Sequence, residues 1–517
     1  MKEYINSSAV RPLGEMGART LLLAGRLTDA MYRPGAIFTG DQNGWPGDWE
    51  GRTILAQTLI SRVSGAESPY LRANVEALAG NLNEKGYLKA ILPEGEFDEQ
   101  QLSGHGWLIR GLCEYSEYAN DEEALHMALR IAEGLFLPAA GHFADYPTRP
   151  EERSGGGREA GNISGKLRGW YLSTDTGCAF IPMDGLSRLY ELTGDKRLMA
   201  LLEEMYSRFM TIDLVGTQVQ THATLSACRG ILRLYGVTGN AKYLDSARSI
   251  FDTYVRSGMT ATFANQNWFA RPEWTEPCAI IDSFIVAMRL FEYTGEPMYA
   301  DMARRIWANG VCRAQRPNGG FGCDSCAGEG GSGAYLKMHA YEAYWCCTMR
   351  GGEGLEMGAR FGYMTDGDVI TVPMFISSLA DFDIGGGHVR IRQKADGARD
   401  GHVEFEIEEN TASRPVKLSV LMPDWASEDA RYAEYELPSA GGRIVLDFRV
   451  PLTVDDAGRL MWGDMLLGTE DDVDMKGMPE RSGTGFEWNG ARLAPIADCY
   501  LMDPEKLKNS RVRVLFE

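Results

Sequence analysis

The chain has 517 residues, of which 44% are hydrophobic and 24% are charged, a composition typical of a globular protein with room for about two to four domains. Lys and Arg number 52 and Asp and Glu 72, and the formal charge of -20 argues against nucleic acid and anionic membrane surfaces as partners. The amino terminus carries no apolar signal segment, and no apolar run reaches the roughly 18 residues that cross a bilayer. A cytoplasmic location is therefore predicted.

A short phrase recurs in the first half of the chain. Residues 189–195 read Leu-Tyr-Glu-Leu-Thr-Gly-Asp, residues 234–240 and 290–296 repeat the pattern, and residues 115–121 are a degenerate copy. Each copy ends an apolar periodic segment with Gly or Asn, as helix C-caps require, and a second amphipathic segment follows. The repeating unit is predicted to be a helical hairpin.

The copies are unevenly spaced, which suits helix pairs that carry loops of different length on one face. An (α/α)6 toroid is therefore predicted for residues 1–365. Its ligand site is expected in the mouth formed by the long loops, among them the tryptophan-rich residues 40–50 and the glycine-rich residues 318–333.

Beyond residue 365 the hydrophobic period changes to two. Residues 369–372, 389–392, 403–407 and 416–420 alternate apolar and polar side chains between turn residues, which predicts strands of a β-sandwich. The second predicted domain, residues 366–517, ends in an irregular segment from about residue 455.

Two cysteine-bearing motifs stand out, Cys346-Cys347 and Glu276-Pro277-Cys278. Pro277 suits a first helical turn, and the glycines after the cysteine pair suit a junction between an extended segment and a helix. Zinc favours four sulfur, nitrogen or carboxylate ligands, so the two motifs together predict a metal site with thiolate ligands. The alternative is that the cysteines are inert packing residues and that Glu276 complements a helix dipole.

With these motifs, the Leu-Tyr-x-x-Thr-Gly hairpins and the helical-then-β order, the chain resembles glycoside hydrolase family 127, the β-L-arabinofuranosidases. The resemblance implies that Glu276, Cys278, Cys346 and Cys347 bind Zn2+ and that Cys346 is also the nucleophile. A retaining hydrolysis through a thioether-linked glycosyl enzyme follows, and it needs a proton donor.

The resemblance fails at that donor. The glutamate of the family pattern is replaced by Thr260, and residues 258–270 contain no carboxylate. Glu273 lies on the same loop and is predicted as the acid/base, although a solvated surface charge explains it equally well. Four further carboxylates are candidates: Glu342 and Glu353 flank the cysteine pair, and Asp48 and Glu50 lie in the tryptophan-rich amino-terminal loop.

Cys323 and Cys326 offer a rival metal site. Their Cys-x2-Cys spacing and the later Cys346-Cys347 pair form a possible four-thiolate zinc set. Such a closed site is structural and leaves no nucleophile. The set containing Glu276 is preferred here.

Four side chains are predicted to contact a sugar. His105 and His222 begin helical segments at the mouth and resemble sugar-contacting positions of the family, while Trp49 and Trp268 offer flat faces for a ring. Helix caps, core packing and barrel closure are the alternative roles.

The sequence thus predicts a zinc-dependent retaining glycosidase that acts on a small glycoside or oligosaccharide. Two alternatives stay open: a non-catalytic, zinc-stabilised carbohydrate-binding or scaffold protein, and a toroid lyase or epimerase that ignores the thiolates. The sequence also leaves open whether the chain forms a homo-oligomer.

Overall fold

The computed structural model describes residues 3–39, 44–153, 160–395, 399–426, 430–471, 477–483 and 485–516. Residues 40–43 of the predicted tryptophan-rich loop lie outside the described residues. Within these ranges, none of the helices has the length and apolar character that crossing a bilayer requires.

The helices and strands follow in chain order. The helices are α1 (Gly14–Arg26), α2 (Pro34–Ile37), α3 (Asp48–Ser64), α4 (Leu71–Ala79), α5 (Glu99–Ala119), α6 (Glu122–Ile131), α7 (Met183–Thr193), α8 (Lys196–Phe209), α9 (Thr221–Thr238), α10 (Ala241–Ser257), α11 (Pro277–Thr294), α12 (Pro297–Ile306), α13 (Cys312–Ala314), α14 (Cys347–Arg360) and α15 (Pro504–Asn509). The strands are β1 (Glu3–Tyr4), β2 (Val10–Pro12), β3 (Phe97–Asp98), β4 (Ile163–Leu167), β5 (Trp170–Ser173), β6 (Cys323–Asp324), β7 (Tyr335–Ala340), β8 (Met364–Asp366), β9 (Val369–Val372), β10 (Ser378–Ile384), β11 (Gly387–Lys394), β12 (His402–Asn410), β13 (Lys417–Leu421), β14 (Tyr432–Glu436), β15 (Gly442–Asp447), β16 (Leu452–Val454), β17 (Leu460–Trp462), β18 (Met465–Gly468), β19 (Glu480–Ser482), β20 (Gly485–Trp488), β21 (Ala491–Pro495) and β22 (Arg511–Arg513).

The repeated phrase marks helical hairpins, as predicted. Gly194, Gly239 and Gly295 end α7, α9 and α11 with φ values of 65°, 65° and 70°, and Asn120 ends α5 with a φ of 52°. These left-handed residues turn the chain sharply, so that α6, α8, α10 and α12 each begin two residues later.

Six helices form a closed inner ring. Around the ring α3 packs on α5, α5 on α7, α7 on α9, α9 on α11, α11 on α14, and α14 on α3 again. An outer layer covers the ring, with α4, α6, α8 and α12 each against its hairpin partner, α10 against α9 and α11, and α1 against α14 and α3. This closed double layer is the predicted (α/α)6 toroid.

Glycines set the spacing of the inner ring where α3 meets α5. An added Cβ at Gly51 would lie 2.2 Å from the backbone nitrogen of Leu108, and one at Gly104 would lie 2.2 Å from the carbonyl oxygen of Pro46. Neither position has room for a side chain, because the two backbones touch there. This close approach brings the start of α3 against the toroid mouth.

Sheets dominate the chain after the toroid. Within the described residues one five-stranded sheet has the order β1-β8-β9-β13-β14, a second has the order β15-β12-β11-β10-β2, and a six-stranded sheet has the order β16-β17-β18-β21-β20-β19. Alternate residues of β10 and β11 are buried, as the period of two predicts. The assignment of two of these sheets to a β-sandwich stays a prediction, as do the domain limits at residues 365 and 366.

Both ends of the described chain join sheets far from them in sequence. Near the amino terminus, β1 pairs with β8 and β2 pairs with β10. At the other end, β22 pairs with β7 in a loop of the toroid. Strands of two or three residues have too little pattern to reveal their partners from sequence, so these pairings were not predicted.

Candidate functional site

Two neighbouring helices of the inner ring begin at the predicted metal motifs. Glu276 is the extended residue before α11, its backbone N–H donates to Asn265 Oδ1 at 2.8 Å, and Pro277 starts the helix. Cys346 occupies the corresponding position before α14, with φ -142° and ψ -81°, and Cys347 starts that helix. Because α11 and α14 pack side by side, both motifs meet at one mouth of the toroid.

The four predicted donor residues form one cluster. Their ligand atoms all lie within 4.8 Å of one another, and Cys278 Sγ lies 3.2 Å from Cys346 Sγ and 3.7 Å from Cys347 Sγ. Tetrahedral zinc with Zn–S bonds of about 2.3 Å places its sulfur ligands roughly 3.8 Å apart. The cluster therefore has the donors and the dimensions of a four-coordinate metal site.

The electrostatics of the cluster also favour a cation. Burial raises the pKa of Glu276 and that of Cys278 well above their usual ranges. Hydrogen bonds from Cys278 and Cys347 lower the pKa of Cys346, whereas hydrogen bonding with Cys278 and burial raise that of Cys347. A bound dication would compensate this crowded set of thiols and a carboxylate, which otherwise must stay largely protonated.

The rival four-thiolate set is not assembled. The thiol of Cys323 is hydrogen-bonded with Cys347, but the thiol of Cys326 donates to the backbone carbonyl of Asn265 at 3.6 Å. Among the described residues, the group of donors that can hold one ion contains Glu276 and Cys278 and neither residue of the Cys-x2-Cys pair.

A cavity of about 540 Å³ opens over the cluster. Its lining contains three of the four donor residues together with carboxylate, amide and aromatic side chains. The lining residues are Trp45, Asp48, Trp49, Arg52, Ala160, Gly161, Asn162, Asp175, Ile181, Gln220, His222, Asn267, Trp274, Glu276, Ala343, Trp345, Cys346 and Cys347. Cys346 is partly exposed, whereas the other nine cysteines of the chain are buried. Among the thiols of the cluster, that of Cys346 is therefore the most accessible to a molecule in the cavity.

Arg52 connects the cluster to α3 and α9. Its guanidinium donates to Cys278 Sγ at 3.4 Å and to His222 Nε2 at 3.2 Å, and it pairs with the Asp48 carboxylate at 2.7 Å. Burial raises the pKa of Asp48 to about 6 although Arg52 opposes that change. Sequence reasoning missed Arg52, because nothing in its helical context separates it from a surface arginine.

His222 is fixed from both ring nitrogens. Its Nδ1–H donates to Asp282 Oδ2 at 2.8 Å, and its Nε2 accepts from Arg52. Asp282 also binds Arg229 at 2.6 Å, and Arg350 helps to hold the pKa of Asp282 far below its usual range. A buried ionic network therefore orients the one predicted histidine that lines the cavity.

Of the other three predicted sugar contacts, one lines the cavity and two do not. Trp49 lines the cavity, where its ring is tilted against Tyr344 at a centroid distance of 6.0 Å. His105 does not line it; its Nε2 accepts from the Leu88 N–H at 2.9 Å, and its Nδ1 bonds the Gln101 carbonyl. Trp268 is wholly buried behind Trp274. The positions of His105 and Trp268 support packing roles, which single-sequence patterns do not separate from binding roles.

The predicted acid/base does not face the cavity. Glu273 is exposed, pairs with Arg271 and is absent from the cavity lining. Its location on the rim matches the alternative of a solvated charge. Of the four other carboxylates named from the sequence, Asp48 lines the cavity, whereas Glu50 is buried and does not line it. Glu342 pairs with Arg26, and Glu353 lies in the buried network with Arg229.

Asp175 is the carboxylate that sequence reasoning overlooked. It follows β5, and its side chain lines the cavity although 170 residues separate it from the cysteine pair. Gln220 was missed as well; it donates to Glu276 Oε2 at 3.5 Å from the turn before α9. Both side chains reach the site only through closure of the ring, which no local motif records.

Comparison with solved structures finds the same fold in other proteins. A solved structure described as a glycoside hydrolase aligns over 100% of this chain and 97% of its own, with a TM-score of 0.67 and 13% sequence identity. Comparison with curated protein sequences gave no match.

The family indicated is the one that the sequence motifs resemble. Residues 175–361 match the model of the β-L-arabinofuranosidase GH127 catalytic domain. A GH127 β-L-arabinofuranosidase from Geobacillus stearothermophilus T6 aligns over 98% of this chain and 99% of its own, with a TM-score of 0.67 and 13% identity. A GH127 β-arabinofuranosidase aligns over 91% and 85%, with a TM-score of 0.66 and 14% identity. The predicted resemblance to GH127 is therefore confirmed, and its sequence support lies between residues 175 and 361.

Proposed function

We propose that this chain is a zinc-dependent retaining glycoside hydrolase that acts on small glycosides or oligosaccharide fragments. Glu276, Cys278, Cys346 and Cys347 would hold the metal ion, and Cys346 would be the nucleophile. The observation that carries the proposal is the position of Cys346, which belongs to the four-donor cluster and is also accessible from the cavity.

The residues around the cavity suit this chemistry. Zinc bound here would stabilise the thiolate form of its cysteine ligands at neutral pH. Cys346 Sγ attacks the anomeric carbon, forming a C–S bond as the bond to the leaving-group oxygen breaks, and that oxygen takes a proton from an acid. Water then attacks the same carbon, the C–S bond breaks, and the water proton passes to the conjugate base.

Other side chains would position the sugar and the nucleophile. Trp45, Trp49 and Trp345 line the cavity and offer apolar faces to a sugar ring. Gln220 and Arg52 hold Glu276 and Cys278 respectively, which fixes two of the metal ligands relative to Cys346. A few polar side chains set among aromatic ones are typical of a carbohydrate pocket.

The proposal is tested with purified full-length chain and a panel of nitrophenyl glycosides. The β-L-arabinofuranoside comes first, because one structural relative is named a β-L-arabinofuranosidase and another a β-arabinofuranosidase. We expect about one zinc ion per chain and retention of anomeric configuration. An acid-quenched reaction should add the mass of one glycosyl group to the peptide containing Cys346.

Two cysteine variants provide a matched comparison. Cys346→Ala should lose about 10³-fold or more in turnover. Cys326→Ala, which removes a buried thiol outside the cluster, should keep both zinc and activity. Bound zinc without turnover of any glycoside would favour the carbohydrate-binding alternative, and turnover that survives both zinc removal and Cys346→Ala would favour a lyase or epimerase.

A further inference from the structure

The proposed reaction needs a carboxylic acid that faces the same cavity as Cys346. Among the described residues, the carboxylates that line the cavity are Asp48, Asp175 and Glu276. Glu276 belongs to the metal cluster, and Asp48 pairs with Arg52 at 2.7 Å. Asp175 neither belongs to the metal cluster nor pairs with Arg52, so it is the carboxylate left for proton transfer.

The surroundings of Asp175 bind one carboxylate oxygen and leave the other without a hydrogen bond from the described part of the chain. Oδ2 accepts from the backbone N–H of Gly161 at 2.9 Å, and the backbone N–H of Asp175 donates to Ser173 Oγ at 3.1 Å. Oδ1 is buried and has no partner at standard hydrogen-bond geometry among the described residues, with the Trp268 indole N–H nearby. A buried carboxyl oxygen without a partner is costly unless a ligand or water engages it.

The protonation of Asp175 suits an acid that works near neutral pH. Burial raises its pKa to about 7, the Gly161 N–H opposes that rise, and the negative charge of Cys346 adds to it. A group with this pKa carries a proton in about half of the molecules at pH 7.

We infer that Asp175 is the general acid/base of this chain, an assignment that rests on the proposed hydrolase function. In the first step the carboxyl proton of Asp175 passes to the glycosidic oxygen as that oxygen leaves the anomeric carbon. Cys346 Sγ forms a bond to the same carbon. In the second step the Asp175 carboxylate takes a proton from the attacking water as the C–S bond breaks. The cycle returns both side chains to their starting states.

Asp175→Asn and Asp175→Ala test the assignment with two classes of substrate. Alkyl glycosides need acid assistance, so kcat/KM should fall by about 10²–10⁴-fold, whereas a dinitrophenyl glycoside should form the glycosyl enzyme at nearly the wild-type rate. The glycosyl adduct should then accumulate on Cys346. Added azide should speed its breakdown in Asp175→Ala and give a glycosyl azide, because the anion fits where the carboxylate was.

Three results would overturn the assignment. The first is an equal loss of activity on both substrate classes, and the second is unchanged activity of both Asp175 variants. The third is a selective loss on alkyl glycosides in Asp48→Asn or Glu273→Gln instead of in the Asp175 variants. A wild-type chain that turns over no glycoside would remove the proposed function and this inference together. An active wild type with an inactive Cys346→Ala and a flat leaving-group dependence in the Asp175 variants would remove the inference alone. Zinc content and circular dichroism of each variant confirm folding.

Discussion

Arg52 is the side chain whose removal should disturb both the stability and the chemistry of the site. It is 4% exposed, and its guanidinium contacts Asp48, Cys278 and His222 while lying 4.4 Å from the ring centroid of Trp107. Replacement by Met keeps most of the length and apolar volume of the side chain but removes the charge and every donor. The main consequence is a buried Asp48 carboxylate without a partner.

The magnitude follows from that unpaired charge. Breaking a buried ion pair by removing one partner typically costs about 3–5 kcal/mol. Asp48 is 9% exposed, so little solvent screening reduces the loss, but its pKa is already about 6 and should rise further without Arg52. An acid whose pKa is raised on folding destabilises the folded state at high pH, and the penalty falls as the pH drops toward that pKa. The loss for Arg52→Met should therefore be larger at pH 8 than at pH 6.

A double-mutant cycle measures the effect. Urea unfolding of the wild type, Arg52→Met, Asp48→Asn and the double variant is followed by tryptophan fluorescence and circular dichroism at saturating zinc. The double variant should be more stable than Arg52→Met, because the uncompensated charge has gone, and the coupling energy should reach about 1–3 kcal/mol. Additive losses at both pH values would refute the reasoning, since they would mean that the two charges do not depend on each other.

Three further substitutions test other parts of the structure. Gly51→Ala should lower the free energy of unfolding by about 1–3 kcal/mol or more, because its new Cβ meets Leu108. The control Gly25→Ala has open space at its Cβ, so its stability should be unchanged or rise by up to about 1 kcal/mol. Equal unfolding midpoints for the two variants would contradict the close helix contact. His105 has its pKa lowered to about 4 by burial, so stability is lost as the pH falls from about 6.5 toward 4, by about 3 kcal/mol. His105→Gln should flatten that pH dependence in urea titrations, and an unchanged slope would show that another group causes it. Glu353→Gln should destabilise the chain by about 3–5 kcal/mol, because it removes the negative charge that pairs with the buried Arg229 and Arg350. A change below about 1 kcal/mol in thermal or urea unfolding would count against this buried ionic network.

Local signals in the sequence identified the helices and the metal motifs. Gly194, Gly239 and Gly295 were recognisable because a left-handed C-cap needs a residue without a Cβ, and each ends its helix in the structure. Glu276 and Cys346 were recognisable because metal donors stood next to signals for a helix start. In both cases the residue and the sequence signal that identifies it lie within a few positions of each other along the chain.

The proton donor could not be predicted in this way. Glu273 was chosen because it is near Glu276 in sequence, but the two side chains point to different environments, one paired with Arg271 at the surface and the other in the buried cluster. Asp175 lies about 100 residues before Glu276 and reaches the cavity from the turn after β5. Its position depends on how the helical ring closes, and only the folded structure contains that information.

The direction of the inner helices explains why the site occupies this mouth rather than the other. The first residues of α3, α9, α11 and α14 lie at the cavity with the cluster, so the positive ends of several helix dipoles face thiols and carboxylates there. The opposite opening is lined by arginines and carboxylates together, among them Arg62, Arg233, Arg289, Glu114, Glu117 and Glu292. At the first mouth, the thiols and carboxylate of the cluster thus have the charge that the helix N-termini favour, whereas the second opening carries both signs of charge. Each helix end is worth about half an elementary charge, so parallel packing favours anionic ligands for a cation at the first mouth and would weaken a thiolate site at the second.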